Sequence, residues 1–201
     1  MKLAPLLIGG ILGLAAGAAS AMVMAGMVGS GVRLSGDVDV ENWQSDWTIG
    51  STAANPWTRA RIARHGLLAL TKEEAVYFTR ASDDDGKPLM EACTYRVSGT
   101  AMPALWWSVT LYDGDSRLPP NTDKALSYDL TKAAAESDAD AWSFTVSPAR
   151  PAEGGWVSSR TADKFDLTLR LYKPSAALLS DPEATLPAPS VERLSCGGRG
   201  S

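Results

Sequence analysis

Two hydrophobic rhythms divide this sequence. From Leu3 to Val32, thirty residues pass without one ionisable side chain, and the run is apolar on every helical face. A helix needs about 20 apolar residues to cross a bilayer core, so residues 1–32 are expected to form a transmembrane anchor. A cleaved signal peptide is the competing reading, because Ala16, Ala18, Ala19 and Ala21 offer small-x-small cleavage sites. Signal peptides use about 7–15 apolar residues, whereas this run continues through Met22, Val23, Met24, Met27 and Val28. Both readings export the remainder of the chain. Within the run, Gly9, Gly13, Gly17, Ala21, Ala25 and Gly29 recur every fourth residue. Such a stripe lets helix backbones approach closely in lipid, which implies self-association or a partner helix; a Gly/Ala-rich anchor also produces such stripes by chance.

Residues 33–70 are expected to be a polar linker carrying Trp43 and Trp47, followed by a short helix. Asn55 suits the N-cap and Pro56 the first helical position. Gly66 suits the left-handed stop, with Arg61, Arg64 and His65 toward the negative end of the helix dipole. His65 is the single histidine, and this position makes it a capping or surface residue rather than a catalyst.

From residue 71 to 201 the period becomes two, the signature of strands with one buried face. Val76 and Phe78 alternate with Ala75, Tyr77 and Thr79. The turn Asp83-Asp84-Asp85-Gly86 then leads to a second strand from Leu89 to Val97, together reading as a hairpin. Trp107, Val109 and Leu111 alternate with Trp106, Ser108 and Thr110 before the turn at Asp113 to Ser116. Trp142, Phe144 and Val146 follow, and Phe165, Leu167, Leu169 and Leu171 oppose Lys164, Asp166, Thr168 and Arg170. Thr131 to Glu136 adds a helical turn, and Pro174 to Pro189 reads as coil wrapped around the outside. Strands without long intervening helices predict a mainly β, antiparallel sandwich behind one N-terminal helix.

Charge changes this picture little. All 23 acidic residues and 18 of the 19 basic ones lie from Arg33 onward, giving that part −5, which excludes a nucleic-acid surface. Lys2 before the apolar run and the acidic residues after Arg33 favour an N-in topology, with the domain outside the inner membrane. Two cysteines, Cys93 and Cys196, fall in the exported part. An oxidising compartment lets them pair; two separate thiols, one buried in a strand and one in a loose tail, are the alternative.

The runs Glu74-Ala75-Val76-Tyr77, Asp85-Gly86-Lys87-Pro88-Leu89 and Trp106-Trp107-Ser108-Val109-Thr110-Leu111-Tyr112-Asp113 carry a family resemblance. With them go Tyr95, Pro120-Asn121, Trp156 and Leu167-Thr168-Leu169-Arg170-Leu171-Tyr172 before Pro174. From Glu74 to Leu194 the chain resembles the bacterial family called domain of unknown function 1214. Its members occur fused behind, or encoded beside, a companion family numbered 1254. The resemblance implies a jelly-roll-like sandwich and no established reaction. Leu105 stands where many relatives carry Arg, so a role depending on that Arg is not carried over, and nothing within these residues resembles the companion domain.

Tests for chemistry return little. There is no G-x-S-x-G, and a lone histidine gives a hydrolase only one imidazole base. One histidine and two distant cysteines do not make a zinc site. The Asp83–Asp85 cluster and the Asp113/Asp115 pair lack calcium-loop spacing and read as turns. No catalytic residue, metal or cofactor is assigned. The candidate contact residues are Trp106, Tyr112, Arg170 and Trp156. Trp106 and Trp107 point to opposite faces of one strand, so one is expected in the core. The other is read as covered by the linker or the C-terminal coil, with an exposed Trp–Tyr platform as the alternative. Arg170 is expected to pair with an acidic neighbour. The function this supports is a membrane-anchored, periplasm-facing module acting on a partner, with a separately encoded companion-family protein the first candidate. A glycan or small-molecule binding domain, and an enzyme with an unrecognised site, are the alternatives.

Overall fold

A computed structural model describes residues 3–25, 28, 37–65, 70–136 and 140–197. The apolar run forms helix α1 (Leu3–Met24), 22 residues long. At 1.5 Å rise per residue it matches a bilayer core of about 30 Å. The window Leu7–Met24 has a mean hydropathy of 1.9 and none of it is buried within the protein. Leu7, Ile8, Ile11, Leu12 and Leu14 are all exposed. The length and exposure of α1 suit a membrane anchor or a signal sequence alike.

The rest is a two-layer sandwich. Its strands are β1 (Asp37–Val40), β2 (Trp43–Asp46), β3 (Ala75–Arg80), β4 (Cys93–Thr100), β5 (Ala104–Asp113), β6 (Ser127–Asp129), β7 (Ala141–Ser147), β8 (Gly155–Ser158), β9 (Phe165–Pro174) and β10 (Ser190–Cys196). One sheet has the order β1-β2-β3-β9-β5-β6 and the other β10-β4-β7-β8. Short helices α2 (Pro56–His65), α3 (Leu130–Glu136), α4 (Ala176–Ser180) and α5 (Pro182–Thr185) lie between strands. Asn55 caps α2 by accepting from the Trp57 and Thr58 amides, at 2.9 Å each. The roles expected of the Arg61, Arg64 and His65 side chains, of Gly66 and of Gly29 lie outside the described residues.

The alternating residues meet between the sheets. Val76, Phe78, Trp107, Val109, Leu111, Leu167, Leu169 and Leu171 from one sheet join Tyr95, Val97, Trp142, Phe144, Val146 and Val191 from the other in a single core. Its centre is aromatic: Trp107 lies 4.3 Å from Trp142 and 6.2 Å from Tyr128, ring centre to ring centre. Tyr128 stacks on Phe144 at 4.6 Å. Gly99 faces Trp142 across the β4–β7 pair, and a Cβ there would stand 2.3 Å from the indole. The glycine makes room for the ring.

Four expectations are corrected. Residues 37–46, expected in the linker, form the β1–β2 hairpin at the sheet edge, with Val38, Val40 and Trp43 in the core. The Trp43 indole N–H donates to the Pro189 carbonyl at 2.8 Å, so this strand and the tail hold each other. The expected hairpin across Asp83–Gly86 is also absent. β3 pairs with β2 and β9, whereas β4 lies in the opposite sheet. The turn itself forms, but Pro88, which lacks an N–H to continue a ladder, leaves a single Ser82–Pro88 bridge. The chain then crosses to the other sheet. Third, the segment from Pro174 to Pro189, expected as coil, contains α4 and α5, and beyond it β10 pairs with β4. Fourth, β7 and β8 run parallel, so the sandwich is not antiparallel throughout.

Cys93 and Cys196 lie opposite each other in the β4–β10 pair and form the disulfide, 103 residues apart in sequence. An exposed apolar helix together with a disulfide points to the cell envelope.

Candidate functional site

The outer face of the six-stranded sheet gathers most of the polar and aromatic candidates, because register aligns them in rows. Ala75, Tyr172 and Trp106 form one row; Tyr77, Arg170, Ser108 and Asp129 form the next. Gln44, Thr79, Thr168, Thr110 and Ser127 make a third, and Asp166 faces Tyr112 beyond it. Each stands one position away from a core residue, so the alternation that fills the interior also builds this surface.

The floor of this face is recessed. Ser108, Thr110 and Thr168 are 6%, 8% and 4% exposed although they point away from the core. Their short hydroxyls lie among the longer Trp106, Tyr172, Tyr77, Arg170 and Tyr112. Thr79 and Thr168 share a hydrogen bond of 3.3 Å. Arg170 donates through Nη1 to the Thr110 hydroxyl at 2.9 Å and through Nη2 to the Tyr112 hydroxyl. Its guanidinium also lies 5.4 Å from the Tyr112 ring centre. The acidic partner expected for Arg170 is not found: among the described residues no carboxylate lies within ion-pair distance of it. Hydroxyls hold the guanidinium in place without neutralising it.

Trp106 is half-buried on this face, and Trp107 is in the core, as their alternation requires. Trp106 packs against Tyr172, ring centres 5.4 Å apart, and points its indole N–H at the Thr131 hydroxyl of α3 at 3.4 Å. Its neighbours are therefore β9 and α3 rather than the linker or the tail. On the β2 side, α2 approaches the face through Thr58, whose hydroxyl donates to Asp46 at 3.1 Å. Trp156 is not part of the group. It lies on β8 of the other sheet, bonded to the Ser147 carbonyl at 3.1 Å and overlain by Arg150 at 5.9 Å.

Burial governs the titration of this surface. It pushes the Asp166 carboxyl up to about 7, the Thr168 hydroxyl working against the shift and nearby Asp113 adding to it. Burial likewise raises the Tyr77 phenol, with Tyr172 adding and Arg170 opposing. A carboxyl raised in the folded state holds its proton longer there than in the unfolded chain. Folding stability therefore falls as pH rises between the carboxylate range near 4 and pH 7. Asp166→Asn is expected to remove that dependence, stabilising the protein by on the order of 1–3 kcal/mol at pH 8 after discounting for partial exposure, and little at pH 4. Urea unfolding of both proteins at the two pH values checks it; an equal effect at both would contradict it.

The acidic turns are occupied by structural bonds. Asp83 is buried and accepts from the Asp85 and Lys87 amides at 3.1 and 2.8 Å, with the Arg193 guanidinium 2.6 Å away. Asp113 accepts from the Asp115 and Arg117 amides at 2.9 Å each. Among the described residues no group of three His, Cys, Asp or Glu side chains is arranged to hold a metal. Asn121, of the Pro-Asn pair, bonds the Arg160 carbonyl at 2.9 Å, and Arg160 grips Asp123 with both arms of its fork. Together they fasten two loops. On α1, a Cβ at Gly9, Gly13 or Gly17 would meet nothing within 4 Å, so that stretch of the stripe is open.

Sequence reasoning misses Tyr77, Tyr172, Thr110 and Thr168 as members of this surface. The outward positions of β3, β5 and β9 are readable, but which strands lie side by side is not.

A model of the family described as protein of unknown function (DUF1214) matches residues 74–176. The VPA0106 protein from Vibrio parahaemolyticus is similar in structure, with a TM-score of 0.56 at 19% identity, over 71% of this chain and 36% of that one. An uncharacterised protein from Burkholderia cenocepacia gives 0.38 at 19% identity, over 64% and 31%. The chain thus spans about a third of the length of these solved structures. No curated protein matches the sequence.

Proposed function

The chain belongs to the DUF1214 family, and from that premise we propose that it is a non-enzymatic, jelly-roll-like binding module of the bacterial envelope that takes a hydroxyl-rich ligand, a glycan, on the outer face of its six-stranded sheet. One observation carries the reading. Register brings an aromatic pair, Trp106 and Tyr172, beside a row of hydroxyls and an un-neutralised Arg170. Sugar rings present apolar faces that stack on aromatic rings, and hydroxyl rims that exchange hydrogen bonds with Ser, Thr and Arg; recognition sites combine these elements. In this reading α1 stays in the inner membrane with its N-terminus inside, and the sandwich faces the periplasm.

Titrating the full chain, held in a sugar-free detergent, with a panel of oligosaccharides tests this by tryptophan fluorescence. Saturable binding is expected, weakened about tenfold by Trp106→Ala, the loss of roughly 1.4 kcal/mol of stacking. Absence of binding, or a variant that binds like the parent, would remove the reading.

Family membership supports a second reading, in which a separately encoded companion-family protein docks on the module. The open stripe on α1 offers a further route, to self-association. Crosslinking in native membranes that recovers such a protein on β3, β5 and β9 while no saccharide binds would favour the docked partner over the glycan.

A further inference from the structure

Resting on the glycan reading and narrowing it, we propose that the saccharide carries a carboxylate, seated between Arg170 and Lys132. Two cations are tied to one cross-strand pair. Thr110 and Ser127 lie opposite each other in β5 and β6. The Arg170 guanidinium donates to the Thr110 hydroxyl at 2.9 Å, and the Lys132 ammonium donates to the Ser127 carbonyl at 2.6 Å. Cross-strand partners sit about 5 Å apart, so the two cations are anchored on neighbouring residues of β5 and β6.

Neither charge is neutralised. Both bond to uncharged oxygens, and among the described residues no carboxylate lies within ion-pair distance of either. The acidic residues in the same rows are engaged elsewhere. Asp129 caps α3, accepting from the Thr131 and Lys132 amides at 2.9 and 3.1 Å. Asp46, at the β2 side, accepts from the Thr48 amide and from the Thr48 and Thr58 hydroxyls. Asp166, at the other end of β9, keeps its proton up to about pH 7 through burial.

An arginine fork has five N–H donors, and two of these are used here by hydroxyls. The remaining donors suit the planar, two-oxygen geometry of a carboxylate. Trp106 and Tyr172 lie two rows from the Thr110–Ser127 pair and supply a stacking surface for another ring of the same oligosaccharide. A sugar acid unites these requirements in one ligand.

The test compares an oligogalacturonate with the same oligosaccharide after chemical reduction of its carboxyl groups, each titrated onto the full chain in phosphatidylcholine nanodiscs. The acidic form is expected to bind at least about tenfold more tightly, and its advantage to shrink as salt rises from about 0.05 to about 0.3 M. Arg170→Gln and Lys132→Gln are each expected to bring the acidic-to-neutral preference toward unity. Equal affinity for both forms overturns this inference while leaving the glycan reading intact. Binding of neither form also overturns this inference, and the glycan reading then stands or falls with the oligosaccharide panel. Because the two ligands are compared on the unaltered protein, a variant that fails to fold does not decide the outcome.

Discussion

Trp107→Ala is expected to be the most damaging single substitution in the sandwich, costing about 3–5 kcal/mol. The indole is 1% exposed and lies between Trp142 and Tyr128, both of which also pack on Phe144. Its strand is central: β5 pairs with β9 along nine residues and with β6 on its other side. A cavity there is walled by strands that cannot move inward without breaking their ladders. Denaturant unfolding measures the loss, and Trp106→Ala is the built-in comparison. Trp106 is the adjacent residue on the same strand and only half-buried, so its loss is expected to cost about 1 kcal/mol or less. Similar costs for the two would mean that the core is not where the alternation places it.

Loss of the Cys93–Cys196 disulfide is expected to have the second largest effect, about 2–5 kcal/mol. The bond closes a loop of 103 residues, which contains β5 through β9. Closing so long a loop removes much of the unfolded chain's freedom. The native state also gains, because the bond anchors the far end of β10, where Arg193 reaches the buried Asp83 and lies 5.5 Å from the Tyr95 ring centre. Melting the protein with and without a thiol reductant, and melting the Cys93→Ser/Cys196→Ser double variant, should give the same lowered midpoint. An unchanged midpoint in both would show that the strand pairing alone holds the tail.

Strand periodicity has a clear limit in this chain, seen at the two segments that read as irregular. Residues 37–46 read as linker because β1 and β2 are only four residues each, too short for period two to stand out. Trp43 is visible in the sequence, but a tryptophan near an anchor is equally at home at a membrane surface. Its burial depends on the Pro189 carbonyl, 146 residues away. β10 is hidden for a related reason. Ser190 to Cys196 shows one core residue, Val191, and gains strand geometry by adding to the edge of β4. The Asp83–Gly86 turn forms where its residues predict one, yet local turn chemistry does not say which sheet receives the next strand.

The candidate site divides in the same way. Trp106, Tyr112 and Arg170 can be named from sequence because each alternates with core residues in a strongly patterned strand. Trp156 belongs to the other sheet, which no local pattern announces. An ion pair is the ordinary expectation for an outward Arg; the hydroxyls of Thr110 and Tyr112 take its place only because β5 lies beside β9.

The sequence by itself determined the properties that depend on near neighbours: a bilayer-length apolar helix, the strands β3, β5, β7 and β9, the Asn55 cap, and much of the membership of the core. Hydrophobic periodicity and capping act over a few residues, so they are written locally. Tertiary structure decided which strands adjoin, which sheet each one enters, and hence that Tyr77, Arg170 and Ser108 share one surface. Those outcomes are set by burial and hydrogen bonding between segments far apart in the chain, and no local pattern encodes them.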